Sequence, residues 1–101
     1  MLNKFHESVK AYQSALEINS KSPECHFNLA SAYNDLADYK SAIKHYIKSI
    51  ELDDKNMDAY ICLGAVYEQL QQGPKAQNVY ERALLMDKEN TRAKAALKRL
   101  L

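Results

Sequence analysis

The side chains of this chain best suited to chemistry are three histidines and two cysteines: His6, His26, His45, Cys25 and Cys62. A metal site on a helix needs imidazoles one turn apart, and a thiol nucleophile needs a base within hydrogen-bond reach. The histidines are not at i, i+4 spacing with one another, and Cys25 beside His26 points to a different helical face. Gly64 and Gly73 are the two glycines, too few for a phosphate-cradling loop, and the carboxylates are scattered. No catalytic residue, metal ligand or cofactor site is expected. The histidines read as structural, His26 among them as a substitute for a core aromatic.

Charge gives equally little direction, because a net charge of +1 over 101 residues exerts no pull on nucleic acid or acidic membranes. Only the last stretch is basic, with Lys88, Arg92, Lys94, Lys98 and Arg99 against Glu89. Cations there suit the C-terminal end of a helix dipole. Nucleic-acid binding would require interleaved aromatics and a broad basic face, which are lacking. There is no CxxC spacing, no secretory signal and no apolar run of about 18 residues. A cytoplasmic, reducing setting is therefore expected, with Cys25 and Cys62 as small packing residues and not a disulfide.

What must position these residues is a repeat of 34 residues. The segment from Pro23 to Asn56 recurs from Met57 to Asn90, with identities at Leu29/Leu63, Tyr33/Tyr67, Leu36/Leu70, Ala42/Ala76, Tyr46/Tyr80, Asp53/Asp87 and Asn56/Asn90. The matches are mostly packing residues, as in stacked repeats that bury their apolar faces against neighbours. Leu29, Ala30, Ala32, Tyr33 and Leu36 make a three-four stripe, so the elements are helical. Ser22–Pro23 and Gly73–Pro74 mark helix entries, and Asp38, Asn56 and Asn90 are placed to cap the helices after them. Six helices are predicted, near 3–19, 23–36, 39–53, 57–71, 74–87 and 91–100. Ala30, Gly64, Ala42 and Ala76 are the small residues that let helix pairs approach, with Tyr33, Tyr46, Tyr67 and Tyr80 filling the space beside them.

The series Tyr60, Leu63, Gly64, Tyr67, Ala76, Tyr80, Ala83, with His26, Leu29, Ala30, Tyr33, Ala42, Tyr46, Ser49 before it, resembles the tetratricopeptide repeat. Phe5, Ser8, Tyr12 and Ala15 continue the pattern backward, and Ala93 and Leu97 continue it forward, so the resemblance covers essentially the whole chain. It departs at His26, where a bulky aromatic is usual, and at Asp54 and Lys88, where a proline closes the repeat. The resemblance implies an all-α, right-handed superhelical stack of antiparallel helix pairs forming a single domain over 1–101. Residues 1–22 would be the second helix of a partial repeat, 23–56 and 57–90 full repeats, and 91–101 a capping helix.

In that family the first helix of each repeat lines a concave, partner-binding groove. The matching positions are Glu24, Phe27, Asn28, Ser31 and Asp35, then Asp58, Ile61, Cys62, Ala65 and Gln69. Arg92, Ala96 and Arg99 follow on the last helix. Phe27 and Ile61 are expected to be either anchors for a peptide or packing residues. A clamp of lysine, arginine and asparagine for chaperone carboxylate tails is incomplete. Asn28 matches one position, but Asp58 and Cys62 stand where cations belong. The other register offers only Arg92, with Phe27, Ser31 and Cys62 replacing the remaining members.

A non-catalytic protein-interaction scaffold that holds a peptide or helix is the expected function. The alternatives are a regulatory or targeting module of a larger enzyme and a co-chaperone that binds acidic tails. Beginning on a second-half helix, the chain is expected to present Leu2, Phe5, Val9 and Tyr12 as an open face, which favours a longer parent array or a homo-oligomer.

Overall fold

The computed structural model describes residues 2–18 and 21–100, and side chains within those ranges from residue 7 onward. These residues form α1 (Leu2–Ile18), α2 (Pro23–Asp35), α3 (Tyr39–Leu52), α4 (Met57–Gln69), α5 (Gly73–Met86) and α6 (Thr91–Leu100). The expected six-helix reading holds, with every end within two residues of its expected place. Among the described residues there is no strand, and no helix is long and apolar enough to cross a membrane. The chain divides into two compact units, Met1–Asp54 and Lys55–Leu101.

Side chains named by the caps set where the helices begin. Ser22 Oγ accepts from the Cys25 amide with Pro23 at the first turn, and Asn56 Oδ1 accepts from the Ala59 amide. Asn90 Oδ1 does the same for Ala93, at 3.0 Å. Each bond satisfies an amide that the helix itself leaves without a partner. Gln72, at the start of α5, supplies no such bond.

The helix ends are less expected, because α2 and α4 stop in the same geometry without glycine. Ala37 and Gln71 hold the left-handed conformation, at φ of 61° and 58°. Their amides bond to Asn34 and Glu68 carbonyls, while those of Asp38 and Gln72 bond to Tyr33 and Tyr67 carbonyls. This is the paired closing pattern that glycine usually serves, since a Cβ there is strained.

In the first unit, Val9 of α1 packs on Leu29 and Ala32 of α2, with Tyr12, Leu16, Tyr33 and Leu36 around them. Gln13 adds a bond from Nε2 to Tyr33 Oη at 3.0 Å. Ala30 and Ala42 are fully buried in the α2–α3 hairpin. Tyr46 is 1% exposed, and its hydroxyl lies 3.0 Å from Ser31 Oγ. Farther along, buried Ser49 donates to the Pro23 carbonyl at 2.9 Å, fastening the end of α3 to the start of α2.

In the second unit, Ala76, Tyr80 and Ala96 form a core flanked by Ile61, Tyr67, Leu97 and Leu100. Gly64 is required here by contact, since a Cβ built on it would stand 2.5 Å from the Tyr80 ring. Tyr80 is itself buried and bonded through its hydroxyl to Glu68, so its ring has no easy retreat. Gly64→Leu is expected to lower the unfolding free energy by about 1–3 kcal/mol or more through overpacking. A melting curve superimposable on that of the parent would contradict the packing of Tyr80 on Gly64.

Candidate functional site

On α2, the residues that stay outside both interfaces are Glu24, Asn28 and Asp35, all exposed, with Phe27 and Ser31 half-buried between them. The α3 helix fixes the inner pair. The Phe27 ring meets Tyr46 edge-on, with centroids 5.7 Å apart and planes at 64°, and the Ser31 hydroxyl bonds to the same tyrosine. Phe27 thus combines a packing edge with an outer surface. The first unit accordingly presents a short polar and aromatic strip on a supported helix.

The second unit treats the same columns differently. Asp58, Ala65 and Gln69 are exposed and Cys62 is half-buried, while Ile61 packs into the Ala76–Tyr80–Ala96 core. Ala96 departs from its expected place in the groove: it is 4% exposed, because α6 turns its alanine face onto α5. Val9 likewise differs from the expected open face, being buried on Leu29 and Ala32, and Tyr12 packs beside it. The side chains of Leu2 and Phe5 lie outside the described residues. Cys25 and Cys62 are thiols and form no disulfide.

The cations on α6 are engaged locally. Arg92 Nη2 lies 2.5 Å from Asp58 Oδ1, so a position expected to offer positive charge is neutralised by its neighbour on α4. Arg99 grips Glu68 with Nη2 at 2.7 Å from both carboxylate oxygens and Nε at 3.2 Å from one of them. Lys94 reaches Glu89 at 3.3 Å. Glu68 also accepts the Tyr80 hydroxyl, so one carboxylate joins α4, α5 and α6. Burial would raise its pKa, but the bonds from Arg99 and Tyr80 outweigh that and hold the carboxyl below the usual range. Burial also pushes the Tyr80 phenol well up, and the bond to Glu68 adds to the shift.

Two residues with functional potential escape the sequence reading. His26 and His45, on different helices of the first unit, bring their Nδ1 atoms to 3.1 Å. Spacing along one helix does not reveal this meeting, but the repeat does. The corresponding residues 34 positions later are Tyr60 and Val79, both buried, so two imidazoles occupy two packing columns at once. Among the described residues, no group of three or more metal-ligating side chains gathers anywhere.

A family model described as TPR repeat matches residues 2–36 and 30–71, most of the chain. The chain belongs to the tetratricopeptide (TPR) repeat family. Among solved structures, the Arabidopsis OM64 TPR domain is 28% identical and superimposes with a TM-score of 0.89, over 97% of this chain and 81% of that one. The first TPR of Spaghetti (RPAP3), solved bound to the HSP90 peptide SRMEEVD, is 26% identical with a TM-score of 0.88 over 97% of this chain and 78% of that one. The second TPR domain of human RPAP3, in complex with an HSP70 peptide, is 22% identical and shows the shared fold, with a TM-score of 0.87 over 97% of this chain and 82% of that one. A comparison with curated protein sequences returns no match. The all-α TPR fold expected from the repeat is therefore established.

Glu68 provides a direct check on how the second unit is held. Glu68→Leu orphans the buried Tyr80 hydroxyl and is expected to cost about 1–3 kcal/mol. Because the folded carboxyl sits below its ordinary value of 4.5, its contribution is present above that pH and is lost as the pH falls through the folded value. Urea titrations from pH 7 to pH 3 should therefore show a shallower acid loss in Glu68→Leu than in the parent. Identical slopes would mean that the carboxylate is not held as described.

Proposed function

We propose that the chain is a protein-interaction module that receives a peptide or helix of another protein on the outward strip of α2, with the corresponding face of α4 in the second unit as a strip of its own. The observation that carries this reading is the contrast within α2. Glu24, Asn28 and Asp35 are exposed, while Phe27 and Ser31 beside them are fixed by the buried Tyr46. A supported strip loses little side-chain freedom when a partner binds, and half-buried aromatics make good anchors. Family membership supports the same reading, as does the binding of a peptide by a TPR domain 26% identical to this one.

Tail-binding of the kind recorded for that relative is the second reading, and the side chains speak against it. Asp58 and Cys62 stand where the clamp expects cations, and Arg92 is paired with Asp58. A carboxylate tail would have to compete with that resident carboxylate.

The experiment is a peptide-display selection on the intact chain, followed by affinity measurement with Asn28→Arg and Ala65→Arg. Both positions are exposed, so the melting midpoint should hold while affinity for the selected peptide falls about tenfold or more, near 1.4 kcal/mol. Unchanged affinity in both variants would place the contact elsewhere. Labelled SRMEEVD serves as the second probe and is expected to give no saturable binding. Tight, Arg92-dependent binding of it would favour the tail-binding reading instead.

A further inference from the structure

The meeting of His26 and His45 has a geometry that limits what it can do. Their ring centroids are 5.3 Å apart and their planes differ by 21°, with the Nδ1 atoms 3.1 Å apart. The centroid separation exceeds the nitrogen separation by about two centroid-to-nitrogen radii. The two nitrogens therefore point at each other, edge to edge and nearly in one plane. Such a contact is attractive only when one Nδ1 carries the proton and the other offers its lone pair. A metal ion has no place on that line, since it would need about 2.0–2.1 Å to each nitrogen.

The surroundings make a second proton costly. His26 is 7% exposed, and the Tyr33 ring lies parallel to His45 with centroids 5.7 Å apart. The two imidazoles border a cleft of about 540 Å³ whose other described lining residues are Lys44, Ile47, Lys48 and Glu51. Both lysines add positive charge, and Glu51, the one carboxylate among the described lining residues, is ion-paired with Lys48 at 3.8 Å. From α1, Gln13 bonds to the hydroxyl of Tyr33, the ring that lies parallel to His45.

We propose that His26 and His45 form one proton-sharing lock between α2 and α3, which opens when both imidazoles become cationic. One bridging proton makes an N–H···N bond. With both rings fully protonated, the bond is replaced by two N–H groups and two positive charges facing each other beside Lys44. Burial, then His26, then Lys44 hold His45 below its ordinary value of 6.5, in keeping with this picture. The unfolded chain thus binds more protons than the folded one between that lowered value and 6.5. Stability of the first unit is full above about pH 6.5 and falls as the pH drops through this window, by up to about tenfold in the folding constant per pH unit for each proton. The effect does not depend on what the α2 strip binds.

The repeat supplies its own control, because the second unit holds Tyr60 and Val79 in these columns. Urea unfolding of the wild-type chain and of H26Y/H45V, followed from pH 8 to pH 5, should show an acid loss below pH 6.5 that the variant lacks. His6, present in both proteins, cancels in the comparison. On the wild type alone, ¹⁵N imidazole spectra at pH 7.5 should show a scalar coupling between the two Nδ1 atoms. Amide exchange, corrected for intrinsic rates, should accelerate in α2 and α3 on acidification to pH 5. Parallel pH profiles overturn the lock. So does the absence of the coupling together with unaccelerated exchange in α2 and α3, a result that stands even if the variant fails to fold.

Discussion

A tyrosine ring set between two helices needs room for its ring and a partner for its hydroxyl, and both units are organised by how they meet those needs. Tyr46 and Tyr80 hold the same position in the repeat and are each 1% exposed. Small residues supply the room: Gly64 faces the Tyr80 ring from the neighbouring helix, fully buried Ala30 holds the same repeat position in the first unit, and fully buried Ala42 and Ala76 lie one turn before each tyrosine on its own helix. An unsatisfied buried hydroxyl would cost more than the bond it makes returns, so the choice of partner is forced on the neighbouring helix. Tyr46 meets Ser31, and Tyr80 meets Glu68.

From that single difference the two units diverge. Ser31 is neutral and short, so nothing further is drawn to it, and the α2 strip beside Phe27 stays open. Glu68 is charged and long enough to reach past the ring, so it recruits Arg99 and with it α6. The basic terminal helix is thereby absorbed into structure. Exposed ion pairs such as Arg92–Asp58 contribute little by themselves, about 0–1 kcal/mol, but they use up cations that a ligand would otherwise meet.

Much of this fold is legible in the sequence, because the signals are local or periodic. Helix entries at Ser22–Pro23, Asn56 and Asn90 are written in residues that cap by their own side chains. Pairing of small residues with tyrosines is written in the 34-residue echo. The candidate surface is less legible because facing depends on where the next helix lands. Ala96 looks like a groove residue until α6 packs it onto Ala76 and Tyr80, and Ile61 follows the same core. Val9 looks exposed until α1 packs it onto Leu29. Likewise, His26 and His45 are 19 residues apart, and only a comparison of columns shows that both fall inward.

The turns after α2 and α4 carry one more consequence. Both pass through a left-handed residue, Ala37 and Gln71, although the chain places its two glycines elsewhere. Neither residue prefers that conformation, so the turns have little tendency to form by themselves. The hydrogen bonds of the helix ends and the docking of the following helix impose them instead. A connector that works against its own residues cannot direct the helices it joins. The information that makes each hairpin resides in its interface, and the length and composition of the turn are the parts most open to redesign.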